Sequence, residues 1–476
     1  MSFYNSYILL HSWKQNYTTN LTMRKILVIG SGKSSSYLIK YFLDKSESED
    51  LHITIGDINI ENAKELIGNH NNAEAIILDV FDQDSRNNAI KNADIVVSML
   101  PARFHIEVAK DCISYNKNMI TASYISPEMQ VLDIEAKAKG LVFMNEIGVD
   151  PGIDHMSAMK VLDTIREKGG KIILFESFTG GLVAPESDNN LWNYKFTWNP
   201  RNVVIAGQGG AAKFLQENKY KYIPYNRLFR RTEFLEVEGY GRFEAYANRD
   251  SLKYQSVYGL NNVKTLYRGT MRRVGFSRAW NMFVQLGMTD DSYTIDDSEN
   301  MSYRDFVNTF LPYSPTDSVE LKFRHNLKID QDDIVWDKLE ELDIFSSSKK
   351  VALKKATPAQ ILQKILMDTW TLKKEDKDMI VMYHKFGYEL HGKMHQIDAT
   401  MVTIGQDQTY TAMAKTVGLP VAMATLAILD GKIKTPGVQI PISKEVYTPI
   451  LKELETNGIV FSEKEVPYLG YNMLNV

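Results

Sequence analysis

The chain has 476 residues, 44% of them hydrophobic and 24% charged, with a formal net charge of -4. That length is too great for one simple core and calls for two or three domains, and a slightly acidic globular composition offers no basic footprint for nucleic acid. One cysteine, Cys112, excludes an internal disulfide or multi-cysteine metal site and fits a reducing, cytoplasmic setting, and no apolar run approaches the roughly 20 residues of a membrane span.

Residues 1–22 contain a brief apolar patch, Tyr7 to Leu10, with no basic segment before it and no small-residue cleavage site after it. They read as a disordered extension, or as sequence upstream of a working initiator at Met23. The next stretch organises the rest. Ile26 to Ile29 is an unbroken apolar run, as expected of a strand covered on both faces. Gly30, Ser31 and Gly32 follow, then Tyr37, Leu38, Tyr41 and Phe42 at helical spacing, then a second strand, Ile53 to Ile55, ending in Gly56-Asp57. Strand, glycine turn, helix, strand and acid together make a dinucleotide site. Gly30 permits the turn, Gly32 lets backbone approach a pyrophosphate, and the helix start offers free N–H groups to the phosphates. Asp57 stands where an acid holds a ribose 2′-hydroxyl, which favours NAD over NADP. The third small position is Ser35 rather than Gly or Ala, and a glycine turn of this kind can also bind nothing.

Strands and helices then alternate. A helix is expected over Glu61–Ile67, a strand over Ala75–Leu78 closed by Asp79, and a helix over Ser85–Lys91. Strand Asp94–Leu100, helix His105–Tyr115, strand Asn118–Ala122, helix Pro127–Lys139 and strand Leu141–Asn145 follow. This is an α/β, Rossmann-type doubly wound parallel sheet over residues 23–149. Ligands bind such sheets beyond the carboxyl ends of the strands, at Gly30–Gly32, Asp57, Asp79 (near an adenine), Leu100-Pro101, Ser123-Tyr124 and Glu146–Asp150. Alternation then weakens. Helix Asp154–Lys168 and strand candidates Lys171–Phe178, Asn202–Ala206, Phe234–Val237, Asp378–Phe386 and Met394–Val402 indicate a mixed α+β substrate and dimerisation domain over 150–289 and 376–404. A small helical insertion over 290–375 includes helices Asp333–Leu342 and Ala359–Met367. Residues 405–476 pack back on the first domain, through a helical stretch from Gln408 to Leu429 interrupted at Gly418-Leu419-Pro420.

These motifs jointly resemble the saccharopine dehydrogenase (L-glutamate-forming), or saccharopine reductase, family. The resemblance rests on Gly30–Gly32, Ser98–Pro101 with His105, Thr121–Met129, Met144–His155, Gly180–Asn189 and Tyr194–Trp198. It continues through Asn248–Ser251, Tyr267–Phe276, Lys377–Met382 and Ala412–Ala424, so that only the first 22 residues fall outside it. It implies that saccharopine, NAD(P)+ and water give glutamate, 2-aminoadipate 6-semialdehyde and NAD(P)H, or the reverse, in lysine metabolism. It further implies cofactor contacts at Ser31, Asp57, Leu100, Ser123, Val149, Asp150 and Pro151, and saccharopine contacts at Ser123, Tyr124, Asp150, Arg249, Thr270 and Arg272, with Met271 lending backbone. By the same analogy the protein is a homodimer. Two departures matter. Thr179 stands where relatives often have a cysteine, so no essential thiol can act there, and Gly56-Asp57-Ile58-Asn59 lacks the arginine of NADP-using members, which again favours NAD.

The residues themselves agree with the substrate. Saccharopine carries three carboxylates, and planar guanidinium groups suit them. Arg268, Arg272 and Arg273 crowd one acid-free segment, with Arg249 upstream; a solvated basic face is the plainer alternative. Asp150 is placed to hold the substrate's amine, or to cap a helix ahead of Pro151. Tyr124 is a hydrogen-bond donor to a carboxylate, or a core tyrosine. Asp150 and Tyr124 are the catalytic candidates. His105 and His155 read as structural, and His384, His391 and His395 are spaced as strand or loop residues, with no metal site expected. Two other readings stay open: a relative acting on another secondary amine such as carboxynorspermidine, and a catalytically silent NAD-binding sensor on the same fold.

Overall fold

The computed structural model describes residues 23–470; the expectation for residues 1–22 lies outside them. The first sheet contains β1 (Arg24–Ile29), β2 (Leu51–Asp57), β3 (Ala73–Ile77), β4 (Ile95–Ser98), β5 (Asn118–Ile120) and β6 (Val142–Met144). All are parallel, ordered β3-β2-β1-β4-β5-β6, so chain direction across the sheet reverses between β1 and β4, where such sheets bind ligands. Ile26 to Ile29 are each at most 1% exposed, which is why β1 reads as an apolar run and not as an alternation. A seventh strand, Gly437–Gln439, returns from far along the chain to pair with β6. Three residues are too few for any periodicity to mark it. The helix expected over Pro127–Lys139 divides into Pro127–Val131 and Asp133–Ala138, because Leu132 N–H bonds back to Met129 and closes the first turn early.

Helix Ile153–Glu167 leads out of this sheet into a second, mixed one. Its central strand, Lys171–Val183, pairs parallel with Thr265–Arg273 on one side and antiparallel with Asp378–Leu390 on the other. Gly241–Ala247 and Thr232–Val237 extend one flank, Lys393–Ile404 and Ser462–Val466 the other. Residues 202–206, read as a strand from their β-branched run, fold instead into helix Pro200–Val204. Asn199 accepts the Arg201 and Asn202 N–H groups and Pro200 occupies the first turn, and this cap overrides the weak strand preference. Between Thr265–Arg273 and Asp378–Leu390 lie five helices, Phe276–Leu286, Tyr303–Thr309, Val319–Leu327, Ile334–Glu341 and Pro358–Trp370. The last of these packs Trp370 against Trp192, Tyr194 and Phe196.

Helix Ala412–Leu429 is continuous, contrary to the interruption expected at Gly418-Leu419-Pro420. Gly418 is a contact glycine and not a breaker: a Cβ there would lie 2.8 Å from the Leu38 nitrogen of helix Ser36–Lys45. Among the described residues this is the one helix long and apolar enough to cross a membrane, and most of it is buried inside the protein. Its start is pinned by Asp378, which accepts the Ala412 and Met413 N–H groups at 2.5 and 2.9 Å. The helix thereby joins the second sheet to the first. Gly418→Leu is expected to destabilise the protein by about 2 kcal/mol or more through overpacking, seen as a lower thermal midpoint in calorimetry. An unchanged midpoint would mean the two helices do not approach this closely.

Candidate active site

At the end of β1, Gly30 has φ +104° and a Cβ there would lie 2.9 Å from the Met99 carbonyl oxygen, so only glycine fits the turn. A Cβ at Gly32 would meet no protein atom within 4 Å, so its absence bares backbone on the outer side of the turn. Helix Ser36–Lys45 begins with no side-chain cap and no acid in its first turn, leaving its N–H groups and positive end uncompensated. Ser35 is buried and turns its hydroxyl back to the Gly30 carbonyl at 3.1 Å, which is how serine substitutes for the third small residue. These residues fit a dinucleotide pyrophosphate. Leu100 follows β4 and is partly buried in the core beneath this edge. Asp79 uses its carboxylate to close its own turn, on the Phe81 N–H at 2.9 Å. Asp57 is committed more heavily: one oxygen accepts the Ser31 N–H and hydroxyl at 2.6 and 2.8 Å, the other the Asn59 N–H at 2.9 Å. Its carboxylate holds the glycine turn, and this weakens the argument that made it a free ribose acceptor selecting NAD.

The segment after β6 is pinched. Gly148 N–H donates to the Pro151 carbonyl and Ile153 N–H to the Gly148 carbonyl. Gly152 has φ +145° and a Cβ there would strike Gly148 backbone. Val149, Asp150 and Pro151 form the tip. Asp150 does not cap the helix that follows; Asp154 serves that helix start, with one oxygen accepting the Gly152 and His155 N–H groups at 2.6 and 2.8 Å. Asp150 is instead held by side chains. Its Oδ1 accepts Arg268 Nη2 at 2.7 Å and the Tyr124 hydroxyl at 3.3 Å. The same Arg268 nitrogen reaches Asp154 Oδ2 at 2.5 Å. Burial pushes the Asp150 carboxyl up and Arg268 opposes it. Burial would raise Asp154 too, but the charges of His155 and Arg268 hold it below its ordinary value. Thr179 is buried beside Asp150, its hydroxyl outside ordinary hydrogen-bond geometry.

Strand alternation separates the clustered arginines. Arg268, Thr270 and Arg272 share one face of Thr265–Arg273, while Arg273 lies on the other, donating to the Tyr240 carbonyl over the Phe243 ring. Arg272 is 5% exposed, which excludes a solvated face. It stacks near Tyr194 and Phe276, donates only to the adjoining Met271 carbonyl, leaves its Nε unbonded, and meets no carboxylate among the described residues. Met271 therefore already uses its carbonyl on Arg272. Arg249 is exposed, has φ 48°, and lies 5.6 Å over the Tyr124 ring, with no acid partner among the described residues. Tyr124, Asp150, Arg249 and Arg268 are thus gathered in one place, with Arg272 and Thr270 further along the strand that carries Arg268. The sequence reading had missed the ties of Arg268 and Asp154 to Asp150.

Three of the histidines, His105, His155 and His384, are buried inside the protein. His155 has both ring nitrogens taken, by the Tyr258 hydroxyl and by Glu146 Oε2 at 3.0 Å. His105 bridges the Ser98 and Ser123 hydroxyls at 2.8 and 2.7 Å and so positions Ser123. His384 contacts the Ser157 hydroxyl at 2.8 Å, while His395 pairs with Glu465 on the surface. Burial pushes both His105 and His384 down to about 4. Each is neutral when folded and takes up a proton when unfolded below its ordinary value. Their contribution is therefore fully present above pH ~6.5 and is lost as pH falls toward ~4, by at most about 3 kcal/mol each. Denaturant titrations at pH 7, 6 and 5 are expected to show this loss, and His384→Gln to remove about half of the slope. A flat profile would place these rings in contact with water.

Comparison with known proteins follows the same division. Residues 26–144 match the family described as Saccharopine dehydrogenase NADP binding domain, and residues 148–459 the Saccharopine dehydrogenase C-terminal domain. The chain is 33% identical over 451 residues to "Saccharopine dehydrogenase [NADP(+), L-glutamate-forming]" of Saccharomyces cerevisiae, covering 93% of this chain and 99% of that one. It is also 33% identical to the mitochondrial alpha-aminoadipic semialdehyde synthase of Mus musculus, of whose length it spans only 48%. The apo structure of the S. cerevisiae L-Glu-forming saccharopine dehydrogenase superposes with a TM-score of 0.83 at 31% identity, covering 93% of this chain and 100% of that one. The expected preference for NAD finds no support here, since the matched domain and the yeast relative are both described with NADP. On this agreement in sequence and structure, the chain belongs to the saccharopine dehydrogenase family.

Proposed function

We propose that the protein interconverts saccharopine with glutamate and 2-aminoadipate 6-semialdehyde in lysine metabolism, using NADP(H). The observation that carries this reading is Arg272, a buried guanidinium with no acid partner among the described residues. Such a group is costly to bury unless an anion meets it, and a carboxylate fits its planar fork. Arg249 is the clamp at the exposed end, and Thr270 lies beside Arg272 on the same strand. Exposed Lys33 and Arg103, beside the glycine turn and after β4, carry no ion pair among the described residues and are the cations available to a 2′-phosphate.

When bound, the cofactor supplies the hydride chemistry. The chain's own part is binding, orientation and proton handling. Asp150 has Oδ1 occupied by Arg268 and Tyr124, which leaves Oδ2 for the substrate's secondary ammonium. That group must lose its proton before the adjacent C–H can leave as hydride, and Oδ2 is the acceptor in reach. Tyr124 keeps its proton, pushed well above its ordinary value by burial, and serves as a donor and not as a base. Neutral His105 holds the Ser123 hydroxyl, and on this reading Ser123 serves both cofactor and substrate. Water then cleaves the C–N bond of the oxidised substrate. A homodimer and a cytoplasmic location belong to the same proposal, and sedimentation and cell fractionation test them.

The direct test follows reduced-nicotinamide absorbance with saccharopine and either NADP+ or NAD+. A rise with NADP+ is expected; no rise with either sinks the reading, and a rise with NAD+ alone reverses the cofactor assignment. Arg272→Met and Arg249→Ala are expected to raise the KM for saccharopine by ~10-fold or more, as loss of a charge-assisted contact does, with the KM for NADP+ within about twofold. Unchanged saccharopine kinetics in both would refute the clamps.

A further inference from the structure

Arg268 lies in the second sheet, while both of its acids belong to the segment leaving the first. Its guanidinium is 5% exposed, bonds Asp150 Oδ1 at 2.7 Å and Asp154 Oδ2 at 2.5 Å through a single nitrogen, and rests 4.5 Å over the Tyr254 ring. Its backbone is fixed as well, its N–H by the Ser251 hydroxyl and its carbonyl by the Asn248 N–H. The two acids differ. Asp154 has its other oxygen filled by backbone and is 1% exposed, so it serves the fold. Asp150 retains Oδ2 with no hydrogen bond from the described residues, and its side chain is 15% exposed.

Two carboxylates in one buried site cannot both stay ionised without a cation between them, and one would take up a proton. The groups facing the pair come from every neighbouring element. Tyr124 and Arg249 face it from loops and Tyr254 and Tyr258 from the short helix Tyr254–Val257 and its end; His155 comes from helix Ile153–Glu167 and Thr179 and His384 from the strands behind. His155 is already engaged by Glu146, and burial keeps His384 neutral. Arg249 is exposed, lies 5.6 Å from the Tyr124 ring centre and makes no ion pair with either acid. Arg268 alone among these bonds directly to both acids.

We propose that Arg268 is the positioning residue of the site: by bridging Asp154 to Asp150 Oδ1 it keeps Asp150 an anion and turns Oδ2 toward the substrate amine. It touches neither substrate nor cofactor and acts through Asp150. The inference rests on the functional reading above, so its test has one arm that needs activity and one that does not.

Arg268→Met keeps the stem and removes the charge. In the activity arm, kcat/KM for saccharopine is expected to fall by ~100-fold or more, and the acid limb of its pH profile to move up by more than about one pH unit, as protonation of Asp150 then reaches the working range. NADPH binding, followed by nicotinamide fluorescence, is expected to stay within about threefold. Arg268→Lys is expected to restore the position of the limb at least halfway. In the second arm, stability is measured by denaturant between pH 5 and 8. Loss of Arg268 raises the folded-state carboxyl values above their unfolded ones, so Arg268→Met is expected to become less stable as pH rises, and adding Asp150→Asn to cancel most of that slope. An unmoved acid limb or an unmoved stability slope overturns the proposal, as does a Lys variant indistinguishable from Met in both. If Arg268→Met does not fold, Arg268→Gln takes its place in both arms, and an unmoved acid limb or an unmoved stability slope in that variant overturns the proposal in the same way. A wild-type enzyme silent toward saccharopine sinks the functional reading, and the stability arm still judges Arg268.

Discussion

Two buried carboxylates held by one arginine are the constraint around which the site is built. Asp150 at the tip of the pinched loop and Asp154 in the first turn of the helix after it lie four residues apart, and Arg268 reaches both from a strand of the other sheet. A buried ion pair of this kind is a poor source of net stability, because desolvation offsets most of its attraction. Breaking it by removing one partner costs about 3–5 kcal/mol, since a charge is left stranded. Such a pair therefore specifies geometry more than it stabilises. It fixes how far the second sheet stands from the loop after β6, and hence where Asp150 sits relative to the ends of β1 and β5.

The apolar packing around this point is continuous. One cluster of buried side chains runs from Ile26 on the first sheet and Leu38 on helix Ser36–Lys45, through Ile153 and Leu162, to Ile380 and Met401 on the second. The polar groups crossing it are almost all paired within it: His155 by Glu146 and Tyr258, Glu146 by the Ile125 N–H and the Tyr254 hydroxyl. Several buried side-chain atoms nonetheless lack a partner among the described residues, His384 Nδ1, Thr179 Oγ1 and Arg272 Nε among them; Arg272 stands out because it is a guanidinium that meets no acid, which makes it the strongest pointer to an anionic ligand.

The legibility of the sequence followed the range of the forces involved. β1, β4 and β6 could be read because each is an apolar run between turn residues, buried on both faces; β2 and the partly exposed edge strand β3 could be read from their β-branched and apolar residues and the turns that bound them. The strand-end rule likewise collected Ser123, Tyr124 and Glu146–Asp150, several of which the structure assembles around one carboxylate. Strand Thr265–Arg273 was opaque because its interior carries Arg268 and Arg272, and a buried arginine looks like a surface one until its partner is known. Those partners lie 118 and 114 residues away, where no spacing rule reaches. Local chemistry was also misjudged where neighbours decide the outcome. The β-branched run at Val203-Val204-Ile205 yielded to an Asn-Pro helix start, and Gly418 was read as a helix breaker when a second helix rests against it. Asp57 was assigned to a ribose because its bonds to Ser31 could not be foreseen.

The short strand Gly437–Gln439 has a consequence for how the protein is made. It completes the edge of a sheet whose other members lie before residue 145, and Ser462–Val466 closes the second sheet later still. The nucleotide fold therefore cannot finish until residues 437–439 have been synthesised. Its first six strands must wait, with one edge unpaired and the groove that receives helix Ala412–Leu429 uncovered, until the whole intervening domain has been synthesised. The two halves are interlaced in biogenesis as well as in space, so neither can be cut out at a single boundary or exchanged by a simple gene fusion.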